Sequence, residues 1–117
     1  MQNLEQIRAR NAWSLGVVSG DKGGEVIKKV APLILNHGLL ATAAYSFTEK
    51  EGWQKVFDAI ARHLSDKDVG VVPETIKDRQ GLMEFLTRPG TTSEVLKLAT
   101  TETMAWLTYA RRFGKKG

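Results

Sequence analysis

Few side chains in this sequence belong to the types that perform catalysis. The chain has no cysteine, which excludes thiol catalysis, disulfides and thiolate metal sites, and it has only two histidines, His37 and His63. His37 lies at a predicted helix end. His63 lies on the predicted polar side of a helix, with no acid or second histidine at ligand spacing. We interpret both histidines as structural residues.

Glu102 has the most unusual position of the acidic residues, because it falls between Leu98 and Trp106 on an apolar helix stripe. A buried carboxylate must find a partner or take up a proton. It could be a catalytic acid, but a carboxylate without a histidine or a second acid nearby more often anchors an arginine or a neighbouring helix end. We favour the anchoring interpretation.

The glycine-rich segment 20–24, Gly-Asp-Lys-Gly-Gly, has successive backbone amides that could bind an anion before a helix. A nucleotide-binding loop also needs a longer spacing that ends in Lys-Ser or Lys-Thr, and a strand before it, and this segment has neither. We interpret it as a turn between helices.

Positive charge is concentrated near the C-terminal end. The net charge is +4, from 17 basic and 13 acidic residues, and segment 111–117 holds four basic residues and no acid. A phosphate-binding surface and a solvated basic tail are both consistent with this pattern. If basic residues of separate helices converge on one face, they would bind a nucleic-acid backbone without reading bases. The predicted RNA-binding residues are Arg8, Arg10, Lys22, Lys28, Lys29, Lys55, Arg62, Arg111 and Arg112.

The three tryptophans could stack on nucleic-acid bases or pack in the core. Trp53 and Trp106 lie in apolar stripes and are predicted to be packing residues. Trp13 is predicted to be exposed, where it could contact a partner or a base.

The elements that position these residues are predicted to be helices, because apolar residues recur at steps of three and four and no stretch alternates with period two. Asp21 is a plausible N-cap, Pro32 should kink or split its helix, and Gly38 should separate two helices. Segment 65–79 is predicted to be a loop held down by its valines. The predicted helices cover about 2–16, 22–36, 39–47, 51–65, 82–86 and 91–113.

The last of these helices is predicted to be the spine of the core, since it has the widest apolar face. The residues assigned to that face are Val95, Leu98, Ala99, Ala105, Trp106, Tyr109, Ala110 and Phe113.

Length and composition predict one domain with an all-α fold, a compact bundle of five to six helices. The chain has 117 residues, of which 42% are hydrophobic and 26% charged, so it should fold without a metal or disulfides. The N-terminus does not resemble a secretory signal, and Pro32 and segment 36–38 interrupt the most apolar window, 30–47. We predict a cytoplasmic protein without a membrane partner or a cofactor.

These residues resemble the small helical subunit of the type III-B CRISPR effector, the RNA-guided Cmr complex. Similar features are Arg8-Ala9 on the first helix, and Lys28-Lys29 before the segment 33–39 (Leu-Ile-Leu-Asn-His-Gly-Leu), which a tryptophan-led helix follows. Segment 102–113 resembles the closing Glu-Ala, Leu, Trp, Arg-Phe pattern of the family. The sequence departs from the family pattern at His37, where asparagine is usual, at Thr103, where alanine is usual, and at Tyr109, where tryptophan is usual.

The resemblance implies that several copies stack head to tail as an inner filament beside the guide-bearing backbone subunits and the large polymerase-like subunit. It also implies that this subunit has no active site, since target cleavage belongs to the backbone subunit, and nucleotide cyclisation and DNA cutting to the large one. Its expected partners are those subunits, other copies of itself, guide RNA and target RNA.

Three hypotheses remain open from the sequence. The first and favoured one is an architectural subunit that binds the RNA backbone, with no catalytic residue. The second is a protein-only adapter that contacts acidic partner subunits. The third is a small hydrolase that uses Glu102 or Glu84 with a histidine.

Overall fold

The computed structural model describes residues 3–14, 23–49 and 52–113, without the side chains of residues 23–25, and this part of the chain contains six α-helices. No strand occurs within these ranges, so the predicted all-α bundle is confirmed. The helices are α1 (Leu4–Ser14), α2 (Gly23–His37), α3 (Leu39–Tyr45), α4 (Trp53–Leu64), α5 (Arg79–Leu86) and α6 (Ser93–Phe113).

The junction between α2 and α3 follows the prediction for Gly38. This glycine has φ 89° and ψ 163°, a backbone conformation that is open almost only to glycine. Its amide still donates to the carbonyl of Ile34 at 2.7 Å, and its carbonyl accepts from the Thr42 hydroxyl at 2.8 Å. Upstream, α2 continues through Pro32, so this proline does not split the helix. The predicted N-cap, Asp21, lies outside the described residues.

The segment between α4 and α5 is a loop, as predicted, and its apolar side chains pack against the bundle. Val72 and Ile76 are buried, and the carbonyl of Leu64 accepts from the amides of Val71 and Val72 at 3.2 and 3.1 Å. At the end of the loop, the Asp78 side chain accepts from the amide of Gly81 at 2.8 Å and thereby caps α5. No strand forms within this loop.

The buried face of α6 differs from the predicted one. Leu98 is 59% exposed, so its assignment to the core face is wrong. The buried residues follow steps of three and one, which is the spacing of one helix face, and this face includes two polar residues. Its members are Ala99, Glu102, Thr103, Trp106, Leu107 and Ala110.

The core lies where α2, α4 and α6 meet. Trp106 is its largest member, and Phe57 and Ile27 are also fully buried. The helix α1 packs mainly on α6, while α3 and α5 cover the opposite part of the bundle. Among the described helices, none combines the length and the apolar character that a bilayer crossing requires.

Candidate nucleic-acid interface

A groove of about 610 Å³ lies between α2 and α6. Its described lining is Lys28, Pro32, Thr108, Arg111 and Arg112. The α2 residues are one helical turn apart, and the α6 residues fall within one turn, so each helix contributes a single face to the groove. We call this the basic groove.

No described acid balances the charges in the basic groove. Lys28, Arg111 and Arg112 are all exposed, no described acidic side chain lines the groove, and none of the three forms an ion pair with a described acid. Lys29 is also exposed but does not line the groove. Three predicted RNA-binding residues from two helices are therefore brought together, and no acid in the described part of the chain pairs with them.

Arg8 has a different environment from the groove residues. Its Nε donates to Oε2 of Glu102 and its Nη2 donates to Oε1, both at 2.8 Å, in a two-point ion pair. The Arg8 side chain is only 20% exposed, and the hydrogen bond to Glu102 raises the pKa of its guanidinium. Nearby, the Tyr109 hydroxyl donates to the carboxylate of Glu5. Arg8 therefore holds α1 against α6, and its charge is already compensated.

The structure confirms the anchoring interpretation of Glu102, because the residue is buried and its carboxylate accepts two hydrogen bonds from Arg8. Burial by itself would raise the pKa of the Glu102 carboxyl, but the hydrogen bonds from Arg8 and His63 outweigh burial and lower the pKa. Glu102 therefore remains an anion inside the bundle.

His63 lies in the core rather than on the polar side of α4, so the predicted position is wrong. It is 1% exposed, its Nε2 lies 2.9 Å from Oε2 of Glu102, and its Nδ1 lies 2.9 Å from Nδ2 of Asn11. The two partners are 39 and 52 positions away in the sequence, on α6 and α1, so their spacing gave no local signal. Burial lowers the pKa of His63 despite the neighbouring carboxylate.

The hydrogen-bond pattern around Asn11 assigns the protonation state of His63. The Asn11 amide group points its Nδ2 at both His63 Nδ1 and Oδ2 of Asp66, at 2.9 and 3.0 Å, so it uses both of its N–H donors. His63 Nδ1 must then accept, and Nε2 carries the proton that is donated to Glu102. The ring is therefore neutral, in agreement with its lowered pKa.

The other predicted RNA-binding residues that the structure describes do not line the basic groove. Arg10 on α1 donates to Oδ2 of Asp66 at 2.9 Å. Lys55 and Arg62 lie on α4, the first exposed and the second half-buried. Lys22, and the basic residues after Phe113, lie outside the described residues.

The contact between His63 and Glu102 bears on the hydrolase hypothesis, because such a pair was not visible in the sequence. Both side chains are buried, at 1% and 8% exposure, and the accepting nitrogen of the ring is occupied by Asn11. Glu102 also binds Arg8 through both oxygens. A general base needs reach to a substrate proton, and this arrangement offers none. The pair joins three helices instead.

The tryptophans lie where the sequence predicts. Trp53 and Trp106 are buried, at 6% and 0% exposure, whereas Trp13 is 72% exposed. Trp13 contacts the ring of Phe113 edge to face, with centroids 5.1 Å apart and an interplanar angle of 89°. An exposed indole therefore lies beside the last residue of α6.

Thr108 and Pro32 line the basic groove without having been predicted there. The available signal was spacing, since Thr108 precedes Arg111 and Arg112 by three and four positions, and Pro32 follows Lys28 by four. That spacing identifies a face on each helix. It does not show that the two faces adjoin.

Comparison with known proteins identifies one family. The family model described as CRISPR-associated protein (Cas_Cmr5) matches residues 4–116, which is nearly the whole chain. Neither the curated proteins nor the solved structures contain a match to this chain.

Proposed function

Because the chain belongs to the Cas_Cmr5 family of CRISPR-associated proteins, we propose that it is a non-catalytic architectural subunit of the type III-B effector that binds an RNA backbone. As a family member it is a small subunit of a Cmr complex. Its proposed partners are the guide and target RNA, other copies of itself, and the backbone and large subunits. Copies stack in an inner filament in this proposal.

One observation supports RNA binding most directly, namely that the basic groove brings together three cations that no described acid pairs. Lys28 on α2 and Arg111 and Arg112 on α6 share a lining without a described acid. Arginine binds phosphate oxygens through two parallel N–H donors, and lysine supplies a mobile point charge. A groove with this lining binds a phosphodiester chain by charge and shape, without a preference for sequence.

The modest charge of one subunit is consistent with several copies binding the same RNA. Few phosphates can be neutralised by three cations, so one free copy would bind weakly at physiological salt. When copies are held in a row, each further contact becomes intramolecular, and the effective affinity rises by orders of magnitude. The groove then acts as one segment of a longer track.

Charge reversal in the basic groove tests this function. The Lys28→Glu/Arg111→Glu/Arg112→Glu variant should lower the affinity for single-stranded RNA at least about tenfold. It should also make the slope of log K against log salt concentration shallower by roughly two. Each phosphate contact with a single strand contributes about 0.7 to this slope, and the variant reverses all three cations. Fluorescence anisotropy across a salt series measures both quantities, and nuclease protection of target RNA tests the reconstituted complex.

The matched control reverses three exposed lysines away from the groove. Lys67→Glu/Lys77→Glu/Lys97→Glu makes the same change in net charge at positions that do not line it. We expect this control to keep most of the affinity and the salt slope. Equal losses in both triple variants would contradict the groove as the binding site.

A protein-only adapter is the second candidate, and the exposed leucines favour it. Leu35 and Leu98 are 76% and 59% exposed, and a protein partner that covers them would remove apolar surface from water. Under this alternative, the groove variant would lose partner subunits in a pull-down after nuclease treatment, while RNA protection by the remaining complex would not change.

A further inference from the structure

Trp13 is the most exposed aromatic residue in the described chain, and its position is supported from one side. It lies in the last turn of α1 and is 72% exposed. The ring of Phe113 contacts it edge to face at 5.1 Å, so the indole is held without being covered. Phe113 itself packs against the core. The indole is thus an ordered apolar surface presented to solvent.

The helix geometry of α6 relates this surface to the basic groove. Successive residues of an α-helix are about 100° apart around its axis, so Arg112 lies between Arg111 and Phe113. Arg111 and Arg112 line the groove, while Phe113 contacts Trp13. Phe113 is thus about 100° from Arg112 and about 200° from Arg111 around the axis, so the Trp13–Phe113 pair lies next to Arg112, on the side of that residue away from Arg111.

We propose that Trp13 is a stacking site for an unpaired RNA base. This inference rests on the proposed function, since it takes the backbone of the same RNA to lie in the basic groove. Every nucleobase has an apolar face that stacks on an indole, so the contact tolerates any sequence. A base inside a duplex has both faces covered, so the ligand must present at least one unstacked nucleotide. The exposed Arg112 beside the pair favours a nucleic acid over an apolar protein segment at this position.

Fluorescence provides a direct test, because Trp13 differs from the other two tryptophans in exposure. Trp53 and Trp106 are buried, so a base that stacks on the protein quenches Trp13 selectively. The full-length protein is titrated with a single-stranded oligoribonucleotide, and with an abasic strand of the same length and charge. We expect quenching by the first strand alone, and no such quenching in Trp13→Phe/Phe113→Leu, which removes the indole and its support.

Binding affinities for the base-bearing and abasic strands distinguish base stacking on Trp13 from charge interactions in the basic groove. Trp13→Ala should weaken binding of the base-bearing strand by about tenfold, as expected for one lost base–aromatic stack, and leave binding of the abasic strand unchanged. Trp13→Phe should keep part of the affinity. The variant Lys28→Glu/Arg111→Glu/Arg112→Glu should weaken both strands equally. In the reconstituted complex, target RNA that carries 5-iodouridine should crosslink to Trp13 on irradiation.

The outcomes that overturn the inference are distinct from those that overturn the proposed function. If Trp13→Ala binds both strands as the wild type does, and no crosslink forms at Trp13, base stacking is overturned while groove binding stands. If neither strand binds and the complex forms no crosslink, both proposals fail. If Trp13→Ala removes a partner subunit after nuclease treatment without changing RNA affinity, Trp13 is a protein contact and the inference is wrong.

Discussion

At the residue scale, Glu102 has the most demanding environment in the described structure. Its carboxylate accepts two hydrogen bonds from Arg8 and one from His63, and its side chain is 8% exposed. The His63 side chain is 1% exposed and the Arg8 side chain 20% exposed. The anion is therefore needed by both neighbours, and its removal leaves a guanidinium and a ring N–H without acceptors.

Replacement of this carboxylate should be costly. We expect Glu102→Ala to lower the free energy of unfolding by about 3 kcal/mol, because breaking a buried ion pair from one side leaves the other charge uncompensated. Urea unfolding measures the loss. Glu84→Ala, at an exposed position on α5, is the matched control and should change stability by less than about 0.5 kcal/mol.

A double variant refines this prediction. Because Arg8 and Glu102 share one interaction, Arg8→Ala/Glu102→Ala should lose less stability than the two single variants together. Strict additivity, or a Glu102→Ala protein as stable as the wild type, would contradict an ion pair that supports α1 on α6.

At the element scale, the separation of α2 from α3 depends on one backbone conformation. Gly38 has φ 89° and ψ 163°, where a Cβ atom is strained even though no atom lies within 4 Å of its position. The cost of a side chain there is therefore conformational and does not come from a clash. The junction sets the direction in which α3 leaves α2.

Gly38→Ala should accordingly destabilise the protein by roughly 1–3 kcal/mol, the usual cost of this backbone region for other residues. Thermal unfolding by circular dichroism measures the effect. Gly90→Ala is the control, since its added Cβ also meets open space but its φ is not positive. That variant should be neutral or slightly stabilising, because alanine restricts the unfolded chain. Equal losses at both glycines would show that φ is not the cause.

The helix faces show how far periodicity can predict packing. On α4, the predicted apolar stripe from Trp53 to Leu64 is buried as expected. On α6, periodicity placed both Leu98 and Glu102 on the apolar stripe, but only Glu102 is buried, together with Thr103. Apolar character alone could not reveal this, because a carboxylate is buried only where another helix supplies its partners.

At the scale of the whole molecule, one polar network joins α1, α4 and α6. It runs from Arg8 to Glu102, His63, Asn11 and Asp66 through contacts of 2.8–3.0 Å. The pKa of Arg8 is raised, whereas the pKa values of the histidine and the two acids are all lowered. The pKa of His63 is lowered by burial, and the pKa values of Glu102 and Asp66 are lowered by hydrogen bonds that outweigh burial.

These shifts predict that acid destabilises the fold. As the pH falls below the ordinary histidine value of 6.5, the unfolded chain binds a proton that folded His63 excludes, so the free energy of unfolding decreases. Glu102 and Asp66 lower the free energy of unfolding further when the pH falls below their ordinary pKa values of 4.5 and 3.8. Urea unfolding between about pH 7 and pH 3 measures the profile.

The histidine part of this profile can be isolated. His63→Gln should lower stability near neutral pH and remove the decrease between about pH 6.5 and pH 5, while leaving the loss at lower pH. His37→Gln changes the exposed histidine and is the control. A decrease that persists unchanged in His63→Gln would exclude this ring as its origin.

The sequence by itself determined the helical architecture, the family resemblance, the exposed Trp13 and the helix break at Gly38. Each of these depends on local periodicity, on a single backbone requirement, or on the order of motifs along the chain. It also identified Lys28, Arg111 and Arg112 as cations on two separate helices. It could not distinguish them from Arg8, which has the same side chain as the arginines of the groove.

Only the tertiary structure separated these residues, because charge compensation depends on what another helix brings within about 4 Å. Arg8 meets Glu102 from a position 94 residues away, while Lys28 meets two arginines and no described acid. The same long-range packing buried His63 beside the carboxylate of Glu102, a contact that no local sequence pattern predicts. Contacts between distant segments thus decided which cations remain available to a polyanion.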